Sequence, residues 1–495
     1  MARIGVLLVA MVVALATDAS SGFVFEEATI DSIHQGFNNG SLTSTALVRF
    51  YLDQISRLNP LLRAVIEVNP DAMRQAARAD TERSAFGRRR GLLHGVPVLN
   101  TTAGSLALLG SLVRRDAGVV ARLRRAGAVV LGKTNLPEWA NFRSARSLRG
   151  WSARGGQARN LYNLSTDPCG SSTGSAIAAA TNLAAVTLGT ETTASILCPA
   201  PANSVVGIKP TVGLTSRSGV IPLTPRQDTV GPICRTVADA VHLLDAIVGY
   251  DPLDAAATRA ASIYIPPNGY KQFLRNDGLI HKRIGIPNGF FDFPNGTLRQ
   301  IAYKQHTDTM RQHGATLIEN LDIANLSVIQ DVTKSGLLTA LPAEFKLNLN
   351  NYLSNLSYSP VRSLAEIIAF NNAHPVEEGL EQYGQQLLLL SENTTGIGSK
   401  ERDAIRQLEE LSANGVEKVM KEHQLDAILT PDSRAATVLA YNGLPGIVVP
   451  AGYDEQGVPF SVCFGGLQGY EPRLIEMAYA FEQATKLRRP PMFKN

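Results

Sequence analysis

The chain is predicted to fold as an α/β layer structure, on three observations. After Gly91, short β-like runs at Val96 to Leu99, Ala128 to Leu131 and Ala185 to Leu188 alternate with helical stretches such as Gly118 to Ala126 and Gly174 to Asn182. The β-like pattern returns after Leu425, in Ala427 to Thr430, Gly446 to Val449 and Phe460 to Phe464. Ahead of both, apolar residues from Phe25 to about Phe86 recur at helix spacing. Apolar runs of strand length alternating with amphipathic helices are what a sheet covered by helices requires.

The helical lead-in, residues 25–86, is carried by Ala46, Leu47, Phe50, Tyr51, Ile55 and Leu58, and Asn69-Pro70-Asp71 restarts the pattern at Ala72. Residues 250–415 are more polar and helical, with Pro266-Pro267-Asn268-Gly269 marking a loop. The first and last thirds are therefore expected to share one core in a single domain over residues 25–490, with the middle third as a helical excursion. There is no internal repeat and no low-complexity tract.

At 495 residues, 44% hydrophobic and 18% charged, the composition is globular and excludes disordered and fibrous classes. The formal charge of +4 comes from 47 basic against 43 acidic residues. The basic pairs and triplets, Arg88 to Arg90, Arg114-Arg115 and Arg124-Arg125, lack interleaved aromatics and read as solvated faces, so no nucleic-acid partner is expected. Arg3, the apolar run Ile4 to Ala16 and the small residues after it predict a signal peptide over residues 1–20. The mature chain is then expected in the secretory pathway or outside the cell, without a membrane anchor. Sequons at Asn39, Asn100, Asn163, Asn295, Asn325, Asn355 and Asn393 are candidate glycan sites in such a chain. Cys169, Cys198, Cys234 and Cys463 are too scattered for a disulfide framework and have no zinc-ligand spacing. Buried thiols are the default expectation, with room for one disulfide in an oxidising compartment.

Two hydroxyl-rich turns carry the candidate chemistry. Asp167-Pro168-Cys169-Gly170-Ser171-Ser172-Thr173-Gly174-Ser175 leads into the small residues Ala176 to Ala180, and a glycine and serine loop opening a helix can aim backbone N–H groups at an anion. The strand-like Ala185 to Leu188 then runs into Gly189-Thr190-Glu191-Thr192-Thr193-Ala194-Ser195-Ile196. A hydroxyl presented just after a buried strand, with backbone donors beside it, suits a nucleophile.

With these two turns and their spacing, the chain resembles the amidase signature family, and its plant-type amidases most closely. The resemblance continues through Ser204 to Thr211, Gln227 to Asp239, Ala340 to Lys346, Gly443 to Gly452 and Gly465 to Pro490. It implies a mixed β-sheet core surrounded by α-helices, and a Ser-cisSer-Lys unit that hydrolyses carbon–nitrogen bonds of small amides without metal or organic cofactor. By position, Ser195 would be the nucleophile and Ser171, behind a cis peptide, its proton relay. Ser172 would support the network, and the N–H groups of Thr192, Thr193, Ala194 and Ser195 would form the oxyanion hole.

One departure from the pattern bears on activity. The resemblance places a lysine shortly after His94-Gly95-Val96-Pro97-Val98, whereas here Leu99 joins Asn100-Thr101-Thr102-Ala103-Gly104-Ser105 directly, about eleven residues short. A stretch of that length spans up to about 35–40 Å when extended. Serine is a weak nucleophile without a base, so the expectation divides between a handicapped amidohydrolase and a non-catalytic protein that keeps the fold. An alternative reading of the gene across the join is a third account. Lys133 and Lys209 lie in stretches that match the family beyond its base, and each is expected to keep a structural place. Thr193 and Ala194 stand where the family has glycine or an acidic residue followed by glycine, so a side chain strains or narrows a turn that needs positive φ.

The remaining motifs are set aside on physical grounds. Gly127 to Thr134 satisfies a phosphate-loop pattern, yet its interior is apolar and reads as a buried strand. None of the eight histidines lies in a triad-like setting. An amidotransferase subunit acting on transfer RNA would share the scaffold, and the signal peptide argues against it. Substrate identity and oligomeric state are not encoded in composition.

Overall fold

The computed structural model describes residues 22–86, 97–101 and 103–492. The expected signal peptide, the arginine triplet at 88–90 and His94 lie outside them. Among the described residues thirteen strands form: β1 Val65–Val68, β2 Pro97–Thr101, β3 Val129–Thr134, β4 Trp151–Ser152, β5 Gly156–Gln157, β6 Val186–Glu191, β7 Val206–Lys209, β8 Thr229–Cys234, β9 Arg283–Pro287, β10 Thr316–Leu321, β11 Ala427–Pro431, β12 Gly446–Tyr453 and β13 Pro459–Gly465. Eleven of them make one sheet in the order β1-β3-β2-β6-β8-β7-β12-β13-β11-β9-β10, with β4 and β5 as a separate hairpin. The sheet is mixed. β3, β2 and β6 run parallel, β6 through β11 alternate antiparallel, and β11, β9 and β10 are again parallel.

Period-two burial explains why so apolar a sheet needs helices on both faces. In β12, Ile447 and Val449 enter one apolar core while Val448 enters the other, and β11 and β13 divide in the same way at Ile428/Leu429 and Cys463/Phe464. The first core is closed by α1 (Ile30–Asn39), α2 (Ser44–Leu62) and the C-terminal helix Glu471–Thr485, and the second by the long helix Leu337–Ser354 and its neighbours. Thr29 caps α1 and Thr43 caps α2, each accepting a backbone N–H three residues on.

Two expectations need correcting. The middle third is not wholly helical, because β9 and β10 add an edge to the sheet. Both are short, and in β10 the sequence Thr316-Leu317-Ile318-Glu319-Asn320-Leu321 has no clean alternation, so neither produced a strand pattern. The helical lead-in likewise contains β1, four residues that pair antiparallel with β3 at the opposite edge. Within the phosphate-loop pattern at Gly127 to Thr134, Val129 to Thr134 form the buried strand β3 rather than a loop ahead of a helix.

Helix α5 (Thr173–Ala180), preceded by α3 (Ala72–Phe86) and α4 (Gly118–Arg125), is the element that positions the site. Every α5 residue is buried, and all but Ile177 are small. Small side chains let the helix press on backbone, and a Cβ on Gly174 would meet Ala64 O at 2.3 Å and Asn135 N at 2.5 Å. The loop before α5 is thereby held against the end of β6.

Candidate active site

Strand β6 ends at Glu191, and the turn Thr192 to Ser195 follows without a gap. Ala194 takes φ +64°, the left-handed conformation expected to burden a side chain there. The Glu191 carboxylate fixes the turn from within: one oxygen accepts the N–H of Ile196 at 2.6 Å and of Leu197 at 2.9 Å. Burial pushes the Glu191 carboxyl up, opposed by the Lys209 ammonium and the backbone donors. Thr192 Oγ1 donates to Asp228 at 2.6 Å, and Asp228 also accepts the N–H groups of Leu223 and Thr224. Burial pushes Asp228 up to about 6 against these bonds.

The second loop lies against this turn. The Gly170–Ser171 peptide is cis. Ser172 N–H donates to Ser195 O at 3.0 Å, and Ser172 Oγ both donates to Thr190 O and accepts from Thr190 N–H, each at 3.0 Å. This fit needs glycine at 189, where a Cβ would stand 2.7 Å from Ser172 Oγ. A disulfide between Cys169 and Cys198, with Cα atoms 5.8 Å apart, joins the two loops a few residues from each serine. The default expectation of four thiols is corrected here, since only Cys234 and Cys463 are free, and both are buried. Two single cysteines 29 residues apart carry no pairing signal until the fold brings their loops together.

The sequence-predicted residues are thus brought to one place. Ser171 and Ser195, together with Thr190 and Thr192, line a cavity of ≈ 30 Å³. Ser195 is 7% exposed, and its Oγ has only a long 3.5 Å approach to Thr193 O. Ser171 Oγ is buried and has no hydrogen-bond partner among the described residues, and neither has Thr193 Oγ1. The N–H groups of Thr193 and Ser195 likewise donate to no acceptor among them. A free nucleophile-sized hydroxyl, a second unpartnered hydroxyl and backbone donors around one small cavity are the parts of an acyl-transfer site.

The site has no lysine among its described lining residues. Lys133 Nζ pairs with Glu67 at 3.0 Å, and Lys209 is fully buried with Nζ on Leu444 O at 2.6 Å. Burial lowers Lys209 to about 8, opposed by Glu191 and Glu471. The join at Leu99-Asn100 lies inside β2, where Leu99 pairs with Gly132 and Thr187, and Asn100 with Lys133. Among the described residues no histidine lines the cavity either, and no group of acidic, histidine or cysteine side chains could hold a metal. Motif reading did not assign the disulfide or the roles of Glu191 and Asp228. Glu191 stood inside the quoted turn, but only the folded turn shows its carboxylate bent back onto backbone donors.

Fold and site together point to an amide-bond hydrolase. The amidase family model matches residues 46–441. A probable amidase of Arabidopsis thaliana is 55% identical over 486 residues, covering 96% of this chain and 93% of that protein. The native peptide amidase of Stenotrophomonas maltophilia superimposes with a TM-score of 0.87 at 42% identity, covering 96% of this chain and all of that one. An amidase family protein of Bacillus anthracis gives 0.87 at 34% identity, covering 95% and 93%. The chain belongs to the amidase family of carbon–nitrogen bond hydrolases.

Proposed function

We propose that this protein hydrolyses small carboxamides through an acyl-enzyme on Ser195, with Ser171 as proton relay and no lysine base behind it. The observation that carries the reading is the unpartnered, buried Ser171 hydroxyl in the cavity it shares with Ser195. Ser195 Oγ attacks the amide carbonyl carbon, and the N–H groups of Thr193 and Ser195 receive the oxyanion, while the Ala194 N–H is held by the Glu191 carboxylate. The Ser195 proton passes to Ser171 Oγ as the Ser171 proton passes to the leaving nitrogen. The C–N bond then breaks, and water releases the acid by the reverse relay. A base would take the first proton ahead of C–N cleavage, typically a gain of 10²–10⁴-fold. Without one the reaction runs slowly. Ammonia release from small primary carboxamides, measured for wild type and Ser195→Ala, tests this. Slow turnover lost in the variant is expected, and turnover unchanged in Ser195→Ala removes the assignment.

The same unpartnered hydroxyl favours a second reading, a protein that binds amides in an intact fold without cleaving them. Binding of a carboxamide with no ammonia release above background selects that reading.

A secretory route is part of the proposal. The Cys169–Cys198 disulfide accords with an oxidising compartment, and Asn39, Asn295, Asn325, Asn355 and Asn393 are exposed for glycosylation. A mature N-terminus near residue 20 and a mobility shift on glycosidase treatment of secreted material are expected. Unglycosylated intracellular protein retaining Met1 overturns it.

A further inference from the structure

The serine cavity, at ≈ 30 Å³, has room for about two or three water molecules. A ligand whose carbonyl faces Ser195 has room beside it for an amino group and little else, so the bulk of an amide must extend elsewhere. Two larger cavities continue from this one. A chamber of ≈ 230 Å³ shares Ala140, Thr190, Val220 and Ile221 with it and is walled mostly by apolar side chains that include Trp139 and Phe345, with Lys133, paired to Glu67, also on its wall. A vestibule of ≈ 450 Å³ shares Val113, Gly219 and Tyr352 with the chamber and opens beside Arg114 and Arg115.

The charges around the vestibule do not cancel. Arg217 is bound by Asp254 through Nε at 2.9 Å and Nη2 at 2.7 Å. Asp228 is taken up by Thr192 and two backbone donors. Asp116, next in sequence, pairs with Arg124 at 2.7 Å. Arg114 and Arg115 are both exposed and form no ion pair among the described residues. The path from Ser195 is therefore narrow, then apolar, then cationic.

We propose that the ligand of this site is a primary carboxamide with an extended apolar body, ending in an anionic group received by Arg114 and Arg115. This rests on the amide reading of the serine site and adds the far end of the molecule. Only the acyl side of the amide carries bulk, which leaves ammonia as the group that fits the small cavity.

The test compares three eight-carbon probes by isothermal titration calorimetry on the intact protein: the monoamide of suberic acid, octanamide and 8-aminooctanamide. The suberic monoamide is expected to bind wild type about fivefold to tenfold more tightly than octanamide at low ionic strength. In 1 M salt, where the Debye length falls to about 3 Å, the preference should shrink. Arg114→Ala/Arg115→Ala should erase it. Arg114→Glu/Arg115→Glu should transfer it to 8-aminooctanamide, a gain that a misfolded variant cannot produce. Equal affinity of wild type for the acid and octanamide, no binding of either, or a preference that survives the alanine pair overturns the inference. A preference without turnover of any probe keeps the inference and removes the hydrolase reading.

Discussion

Cutting the bond between the two serine loops should loosen the site before it unfolds the protein. The perturbation is Cys169→Ala/Cys198→Ala. The bond closes a loop with a sequence separation of 29. In the chain-entropy model, opening a loop of that size costs about 3.6 kcal/mol at 25 °C. Unfolding entropy of about 2.1 cal/mol/K per residue gives a 495-residue chain roughly 1 kcal/mol/K, so Tm should fall by about 3–4 °C. Differential scanning calorimetry reads this directly. The second readout is the rate at which a fluorophosphonate labels Ser195. Without the disulfide, the Ser171 loop is still tied to the Ser195 turn through Ser172, whose N–H reaches Ser195 O and whose Oγ bonds Thr190, but the far side of both loops is released, so labelling should slow while most molecules remain folded. Half-buried Cys198 should allow a phosphine reductant to reproduce both effects in wild type. A Tm within 1 °C of wild type together with an unchanged labelling rate refutes the reasoning.

Glu191→Ala should cost about 2–4 kcal/mol, because it strands two buried N–H donors. Glu191→Gln, which keeps one acceptor oxygen, should cost less, and chemical denaturation of both variants ranks them. Ser171→Ala should be neutral or stabilising by up to about 1 kcal/mol, since it deletes an unpartnered buried hydroxyl, while any amide turnover is lost; a large drop in Tm would show that the hydroxyl has a partner. Burial and the neighbouring Glu378 raise Glu138 against its Arg143 partner, and burial raises Glu482 to about 7 and Asp239 to about 6. Each acid is better accommodated protonated in the fold than in the unfolded chain, so its contribution is full below about pH 4 and is lost as pH rises through these values. Tm should therefore decline from pH 5 to pH 8.5, with Glu138→Gln flattening the upper part. A Tm that climbs across this range contradicts the assignment.

The legible parts of the fold were those with periodic apolar pattern or motif. β3, β6 and the three strands after Leu425 were found within a few residues, as was α5, because buried strands and an all-small helix leave strong local signals. The edges were not legible. β1, β9 and β10 are four to six residues long and partly solvated, so pairing partners far along the chain decide them. In the site, the two serines were readable because their turns keep a fixed spacing around α5. The disulfide, the Glu191 carboxylate and the Thr192–Asp228 bond depend on loops meeting in space, which no local pattern encodes. The join at Leu99-Asn100 showed in sequence as a missing segment. In the fold Leu99 and Asn100 lie within one continuous strand beside β6.

The central claim is that Ser195 is a nucleophile held ready in a site short of its base. Treating folded protein with a fluorophosphonate and mapping the adduct by peptide mass spectrometry tests it most directly. One phosphonyl group per chain on Ser195, formed slowly and blocked by a carboxamide, is the predicted result. No adduct at Ser195 in folded protein, or modification only at other residues, would contradict the account.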